Sequence, residues 1–247
     1  MLVRRVPFGR GWRWIVEAFS LFRRGPIIWI ILSALLLLIA LGLNVIPLVG
    51  EYILYLLTPL FIAGMMTACR DLEAGKTIEV GHLFRGFREN TTQLITVGGI
   101  YLVGQVVIVG VVLSVGGAEL QEALRAVADG HPEQITAEAA NRVSLAVLVG
   151  SALFLPLAMA VWFAPSLVAL DNVLAFRALQ TSMRACLANL LPFLCYSVIM
   201  SGLLLIAMTP LLAGLLLWMP LAVISTYTSY KDVFVRATDE SDMARPG

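Results

Sequence analysis

Charged residues are scarce in this sequence. They make up 13% of its 247 residues, whereas about 25% is usual for a soluble domain. The 17 Lys and Arg nearly balance the 16 Asp and Glu, so the net charge of +1 excludes a strongly basic nucleic-acid-binding protein. Because 60% of the residues are hydrophobic, a water-soluble globule has too little interior to hold them. The composition therefore predicts a protein embedded in a membrane.

Histidine and cysteine are also rare, with two and three residues respectively. The spacing typical of metal ligands is absent among His82, His131, Cys69, Cys186 and Cys195. We expect no disulfide among the three cysteines. The sequence has no HExxH motif, no GxSxG motif, no phosphate-binding loop and no dinucleotide fingerprint. We therefore expect no metal, no cofactor and no enzymatic activity.

Five long stretches contain no charged residue: 25–50, 52–69, 90–118, 143–170 and 185–230. About 20 apolar residues form a helix that crosses the hydrocarbon core, so the first four stretches fit one crossing each. The fifth fits two crossings, divided at Thr209-Pro210 because proline suits the start of a helix. The sequence thus predicts six transmembrane helices over 26–48, 52–69, 92–116, 143–169, 191–208 and 210–230.

Lysine and arginine are concentrated on one side of the predicted spans. Fifteen of the 17 lie at the termini or in the 70–90 and 170–190 loops, and the other two, Arg125 and Arg142, lie in the 117–142 loop. Because cytoplasmic loops carry the excess of positive charge, both termini are predicted to be cytoplasmic and the 117–142 loop non-cytoplasmic. A single membrane domain is predicted over 1–235, followed by a disordered cytoplasmic tail over 236–247.

Three predicted cytoplasmic segments, 11–23, 77–90 and 171–190, have helical apolar periodicity. In the first of them, Trp12, Ile15, Phe19 and Phe22 are predicted to share one face. An apolar face beside basic residues is typical of a helix that lies in the lipid headgroup region. Each segment is followed by a predicted pair of spans.

The second helix of each predicted pair contains a Pro-Leu dipeptide, at Pro59, Pro156 and Pro220. The sequence therefore predicts an all-α fold of three related hairpins, each preceded by a cytoplasmic amphipathic helix. The alternative is chance similarity among leucine-rich segments. The three prolines are also functional candidates, because broken helices near the bilayer centre can line a substrate pathway. The simpler interpretation is that they kink the helices for packing.

A second functional candidate is a set of arginines at the predicted cytoplasmic surface, which we call the basic rim. It would attract anionic lipid headgroups, although these residues also serve as topology determinants. The basic rim consists of Arg13, Arg23, Arg24, Arg85, Arg88, Arg177 and Arg184.

A third candidate is a set of aspartates at the predicted cytoplasmic ends of helices: Asp71, Asp171 and Asp232. Carboxylates beside arginines most simply form ion pairs between the repeats, and a shared catalytic role would require them to converge. No ionisable residue lies inside a predicted span, which argues against proton-coupled pumps and ion channels.

Several motifs give the chain a family resemblance: Trp12-x-Trp14, the Phe-Arg-Arg-Gly-Pro step at 22–26, the Pro-Leu helices, and Tyr-Lys-Asp at 230–232. With them it resembles an uncharacterised family of bacterial six-helix inner-membrane proteins over nearly its whole length. More distantly, it is similar to the membrane domain of some glycerophosphoryl diester phosphodiesterases. In that family a separate soluble domain carries catalysis, so the resemblance implies membrane architecture without phosphodiesterase activity.

These observations predict a non-enzymatic, multi-pass protein of the bacterial inner membrane. It is expected to act through membrane lipids, in particular anionic ones, or as an accessory subunit of a membrane complex. The sequence leaves open whether the chain binds a membrane protein partner or forms a homo-oligomer. No nucleic-acid partner is expected. The alternative is a transporter or channel for an uncharged or lipid-like substrate.

Overall fold

Helices account for nearly all of the chain that the computed structural model describes, which is residues 2–47, 49–131, 135–209 and 214–235. The predicted tail, 236–247, lies outside these residues. The helices are α1 (Arg10–Phe22), α2 (Pro26–Asn44), α3 (Val49–Glu73), a 3-10 helix (Val80–Phe87), α4 (Thr91–Ala128), α5 (Ala137–Trp162), α6 (Ala164–Asp171), α7 (Ala175–Ala188), α8 (Leu190–Met208) and α9 (Leu215–Val233).

Five helical segments of the described chain are long and apolar enough to cross a membrane. They are α2, α3, α4, the continuous run of α5 and α6 over Ala137–Asp171, and α8. The prediction of a helical chain with several helices that are long and apolar enough to cross a membrane is therefore confirmed. The predicted sixth span, 210–230, starts in residues outside the described part. Its helix, α9, is not among the five, because the second half of α9 is polar from Ser225 onwards.

The described residues divide into two packed units, where the sequence predicts one domain over 1–235. The first unit falls within 1–98 and 159–247, and the second within 99–158. The second unit consists of most of α4 and α5, and few of its side chains are buried. Helix α4 contains a break at Gly117, which has a left-handed φ of 58°. A glycine tolerates this conformation at little cost. The break follows the predicted third span, 92–116.

The hydrophobic core of the first unit is built from α1 to α3, the 3-10 helix, the start of α4, and α6 to α9. Trp14, Trp29 and Phe163 are its largest fully buried side chains. Two glycines allow the backbone of α3 to touch the 3-10 helix. A Cβ atom on Gly64 would lie 2.4 Å from the carbonyl oxygen of His82, and one on Gly86 would lie 2.2 Å from that of Leu60. Larger residues at these positions would force the two elements apart.

The two ends of the described chain lie side by side. Leu2–Val3 forms a short antiparallel pair with Phe234–Val235. The Asn189 side chain supports this pair by accepting a hydrogen bond from the backbone of Val6 (2.8 Å) and donating one to the carbonyl of Arg4 (3.0 Å). The N-terminal segment is thereby fixed against the end of α9 and the start of α8.

Candidate functional site

The basic rim is mostly solvent-exposed in the structure. Six of its seven arginines are exposed, and the seventh, Arg85, is half-buried. The Arg85 guanidinium donates to Asp71 Oδ2 at 2.6 Å. The rim therefore contains six arginines that are accessible to headgroups and one that has a structural partner.

Asp71 is the centre of a three-way polar cluster that joins the end of α3 to the 3-10 helix. Its buried carboxylate contacts Arg85 as above, Lys76 at 3.1 Å and His82 Nε2 at 3.3 Å. His82 Nδ1 lies 3.1 Å from the backbone nitrogen of Glu79, which caps the start of the 3-10 helix. If Nδ1 accepts that hydrogen bond, Nε2 carries the proton and donates it to Asp71. The cluster thus fixes the 74–90 connection against α3.

Asp232 forms the corresponding cluster at the end of α9. Its Oδ2 accepts a hydrogen bond from Arg10 Nε at 2.5 Å and another from Trp14 Nε1 at 2.8 Å. Arg10 also pairs with Glu17 at 3.1 Å. Burial alone would lower the pKa of Arg10, but the hydrogen bond and charge of Asp232 outweigh it and raise that pKa. The cluster therefore attaches α1 to the end of α9.

A third set of polar contacts joins the end of α3 to α9. Glu73 accepts a hydrogen bond from the Tyr227 hydroxyl at 2.8 Å and pairs with Lys231 at 2.5 Å. Lys231 also lies 5.8 Å from the centre of the Tyr227 ring. Glu73 and Lys231 are both substantially exposed, so this pair contributes little to stability by itself.

The Asp232 and Glu73 contacts border a polar cavity of about 400 Å³. Eight of its nine lining residues are polar or charged, with three bases and three acids. We call it the polar cavity; it is lined by Arg10, Glu17, Ser20, Leu21, Arg24, Glu73, Thr228, Lys231 and Asp232. Sequence reasoning identified Arg24 and Asp232 as candidates but missed Arg10, Glu17 and Glu73, because only the fold brings α1 to the ends of α3 and α9.

The amphipathic segments have two apolar faces rather than one. In α1, Ile15 and Phe22 are buried in the core, whereas Trp12 is 53% exposed and Phe19 is 49% exposed. These four residues lie within an arc of about 80° around α1, as predicted, but the protein core covers one edge of that arc and leaves the other exposed. Small residues such as Gly11 and Ala18 complete the buried face, and they allow α1 to pack closely on its neighbours. The larger apolar residues are left on the outside.

The same division recurs in the other two amphipathic segments. The 3-10 helix buries Leu83 and Gly86 and exposes Val80 and Phe84. Helix α7 buries a face that contains several small residues, and it leaves Phe176 66% exposed. Exposed aromatic side chains of this size, beside exposed arginines, are what an interfacial helix presents to lipid.

The three candidate prolines differ in burial. Pro59 and Pro220 are buried in the first unit, and Pro156 is exposed on α5. None of these prolines lines the polar cavity. Within the described ranges, no group of three His, Cys, Asp or Glu side chains is placed to hold a metal ion. The polar cavity and the outer apolar faces are therefore the features with functional chemistry.

Comparison with known proteins gives one informative similarity. A probable inner membrane protein of Burkholderia thailandensis is 32% identical to this chain over 195 residues, which cover 76% of the chain and 71% of that protein. No family model matches the chain, and no solved structure matches it.

Proposed function

Because this chain belongs to the same family as the probable inner membrane protein of Burkholderia thailandensis, we propose that it acts in the bacterial inner membrane through contacts with anionic lipids. In this proposal the chain is not an enzyme. Its three amphipathic segments lie in the headgroup region at the cytoplasmic surface, and the exposed arginines of the basic rim hold the headgroups.

The outer faces of the amphipathic segments carry the proposal. Each segment exposes large apolar side chains that the protein core leaves uncovered, for example Trp12, Phe84 and Phe176. An exposed basic-rim arginine lies within a few residues of each of them: Arg13, Arg88 and Arg177. Apolar side chains gain free energy by entering the acyl boundary, at about 25 cal/mol per Å² of area buried. The arginines would add about 1 kcal/mol each from anionic headgroups.

We further propose six crossings with both termini in the cytoplasm. The antiparallel pairing of residues 2–3 with residues 234–235 supports this, because ends that pair must lie on the same side of the membrane. Ends on one side require an even number of crossings. The five candidate helices and α9 together give six. The bias of positive charge assigns that side to the cytoplasm.

The proposed threefold arrangement of hairpins is supported by two equivalent ion pairs. Asp71 follows the second proposed span and pairs with Arg85 of the second amphipathic segment. Asp232 follows the sixth span and pairs with Arg10, at the start of the first amphipathic helix. In both cases the end of a hairpin is attached to an amphipathic segment. The distant similarity to the membrane domain of glycerophosphoryl diester phosphodiesterases stays a prediction.

Thermal unfolding of the purified chain in neutral detergent tests the lipid proposal. Phosphatidylglycerol should raise the unfolding temperature more than phosphatidylcholine with the same acyl chains, because only its headgroup carries a net charge. Changing the six exposed rim arginines to Gln should remove that difference. The matched control changes Arg125 of α4 and Arg142 of α5, which lie in the segment predicted to be non-cytoplasmic. Equal stabilisation of the unaltered chain by both lipids would overturn the proposal.

Two alternatives give different results. An accessory subunit or homo-oligomer would retain a second protein after mild extraction, and its stability would depend on that protein more than on lipid. A transporter that uses Pro59, Pro156 and Pro220 would lose transport when they are changed to Ala. The burial of Pro59 and Pro220 favours a packing role for them.

A further inference from the structure

The polar cavity has a composition that is unusual for this chain. Only 33 of the 247 residues are charged, yet six charged side chains from α1, the turn after it, α3 and α9 line this one space. A volume of about 400 Å³ is within the range of small-ligand sites, which span roughly 300–1,000 Å³. Its polar lining excludes an apolar ligand, because burying these groups against hydrocarbon would leave them without hydrogen-bond partners.

Three bases and three acids give the cavity no net charge. An inorganic anion or a simple cation would meet as many repulsive as attractive groups. A ligand that carries both charges would meet complementary groups at both ends. The balance therefore favours a small zwitterion over a singly charged ion.

The existing ion pairs show which charges are available to a ligand. Asp232 is occupied by Arg10 and Trp14, and Glu73 by Lys231 and Tyr227. The charge of Arg24 helps to lower the pKa of Glu73, but the Arg24 guanidinium makes no side-chain hydrogen bond or close ion pair among the described residues, so its N–H donors can bind an anionic group. Glu17 uses only Oε1, towards Arg10, and its side chain is 45% exposed. Its second oxygen is therefore free to accept hydrogen bonds from an ammonium group.

The two available charges are close enough to act on one molecule. Glu17 lies on α1, and Arg24 lies in the turn that follows the end of this helix at Phe22. Both residues line the same cavity, so one bound molecule can contact the carboxylate and the guanidinium together.

We propose that the polar cavity binds a phosphate ester that carries a primary ammonium group, with the phosphate on Arg24 and the ammonium on Glu17. A guanidinium binds phosphate oxygens through two parallel N–H donors. The exposed apolar face of α1 at Trp12, Val16 and Phe19 lies on the same helix as four of the lining residues. That face would hold acyl chains, so the phosphoethanolamine headgroup of a phospholipid is the form of this ligand that fits best. The inference rests on the lipid-contacting role proposed above and adds a specific headgroup to it.

Binding of short-chain lipids to the purified full chain in detergent tests this. Dioctanoyl phosphatidylethanolamine is compared with dioctanoyl phosphatidylcholine, which has the same phosphate but no N–H on its ammonium. The ethanolamine lipid should bind about tenfold more tightly, the difference expected from one charge-assisted hydrogen bond. Glu17→Gln should remove this advantage, whereas Arg24→Gln should weaken the binding of both lipids, because both carry the phosphate, and Arg24→Lys should retain part of the affinity. Equal affinity of the unaltered chain for the two lipids would overturn the proposal.

The matched control is Arg23→Gln, because Arg23 is exposed, adjacent to Arg24 and absent from the cavity lining. It should keep the tenfold preference and the affinity for each lipid, and a loss of affinity equal to that of Arg24→Gln would overturn the site. Unfolding temperatures without ligand confirm that the variants are folded. Free phosphoethanolamine that binds as tightly as the lipid would identify a soluble source of the same chemistry. Inorganic phosphate that binds as tightly as both would overturn the role of Glu17.

The result is separable from that of the general lipid proposal. The general lipid proposal is tested by the difference in unfolding temperature between phosphatidylglycerol and phosphatidylcholine, and by the variant that lacks all six exposed arginines. The cavity proposal is tested by the difference in binding affinity between phosphatidylethanolamine and phosphatidylcholine. A chain that shows the second difference without the first would retain the cavity and lose the anionic-lipid role.

Discussion

The ion pair between Asp71 and Arg85 gives a stability prediction that can be worked through quantitatively. The Arg85 guanidinium lies 2.6 Å from the Asp71 carboxylate, whose side chain is only 9% exposed, while the Arg85 side chain is 35% exposed. Hydrogen bonds to charged groups contribute about 1.5–3 kcal/mol. The exposure of Arg85 places this contact at the lower end, near 1.5 kcal/mol, because water screens the guanidinium. Lys76 is 68% exposed and adds at most about 1 kcal/mol.

Asp71→Asn should therefore lower the free energy of unfolding by about 2–4 kcal/mol, since it weakens the contacts to Arg85, Lys76 and His82 together. Arg85→Gln should lower it by about 1.5–3 kcal/mol. The double variant should lose about 1.5 kcal/mol less than the sum of the two, because both changes remove the same interaction. Unfolding in mixed micelles of neutral detergent and dodecyl sulfate measures each value.

The control cycle pairs Asp71→Asn with Arg88→Gln. Arg88 is exposed, and it makes no ion pair or side-chain hydrogen bond to another described residue. Its coupling to Asp71 should stay below about 0.5 kcal/mol. A coupling between Asp71 and Arg85 that is equally small would refute the reasoning. It would show that the hairpin end and the amphipathic segment are held together by apolar packing alone.

Three further predictions follow from the packing and the proposed topology. Gly64→Ala should destabilise the chain by about 1–3 kcal/mol, because the added Cβ atom meets backbone atoms. Gly202→Ala should raise the free energy of unfolding by up to about 1 kcal/mol, because its added Cβ atom meets no other atom. Unfolding in mixed micelles measures both changes. The double variant Trp12→Ser and Phe19→Ser should unfold at an unchanged temperature without lipid and lose most of its lipid-induced stabilisation. A cysteine placed at Asp129 should react with a membrane-impermeant maleimide in intact cells.

Each of these has a result that would contradict it. Equal stability changes at Gly64 and Gly202 would mean that α3 and the 3-10 helix are not in backbone contact. Full lipid stabilisation after the loss of Trp12 and Phe19 would mean that the outer face of α1 is not buried in the membrane. Labelling at Asp129 only after cell lysis would reverse the proposed orientation of the chain.

The helices could be predicted from the sequence because their signals are local. Gaps in charge give the approximate ends of the apolar helices, and α2, α4 and α8 begin within two residues of the predicted spans. The amphipathic segments were also predictable from periodicity. The division of each segment into an inner and an outer face was not predictable, because periodicity does not distinguish an apolar face that contacts protein from one that contacts lipid. Small residues such as Gly11 and Ala18 decide this by allowing close packing.

The polar cavity could not be predicted because its residues are distant in sequence. Arg10 and Asp232 are 222 residues apart, and they meet because the ends of the described chain pair with each other. Asp71 and Arg85 are 14 residues apart, so a shorter connection brings them together. The prediction that aspartates at helix ends pair with arginines is confirmed for Asp71 and Asp232, although Arg10, the partner of Asp232, is not part of the basic rim.

The lipid composition around the chain, after extraction directly from cells into copolymer nanodiscs, tests the central claim most directly. Anionic lipids should be enriched relative to the bulk membrane, and the enrichment should disappear when the six exposed arginines of the basic rim are changed to Gln. The variant with Gln at Arg125 and Arg142 should keep it. A lipid composition equal to that of the bulk membrane, unaffected by the rim arginines, would contradict the claim that this protein acts through anionic lipids.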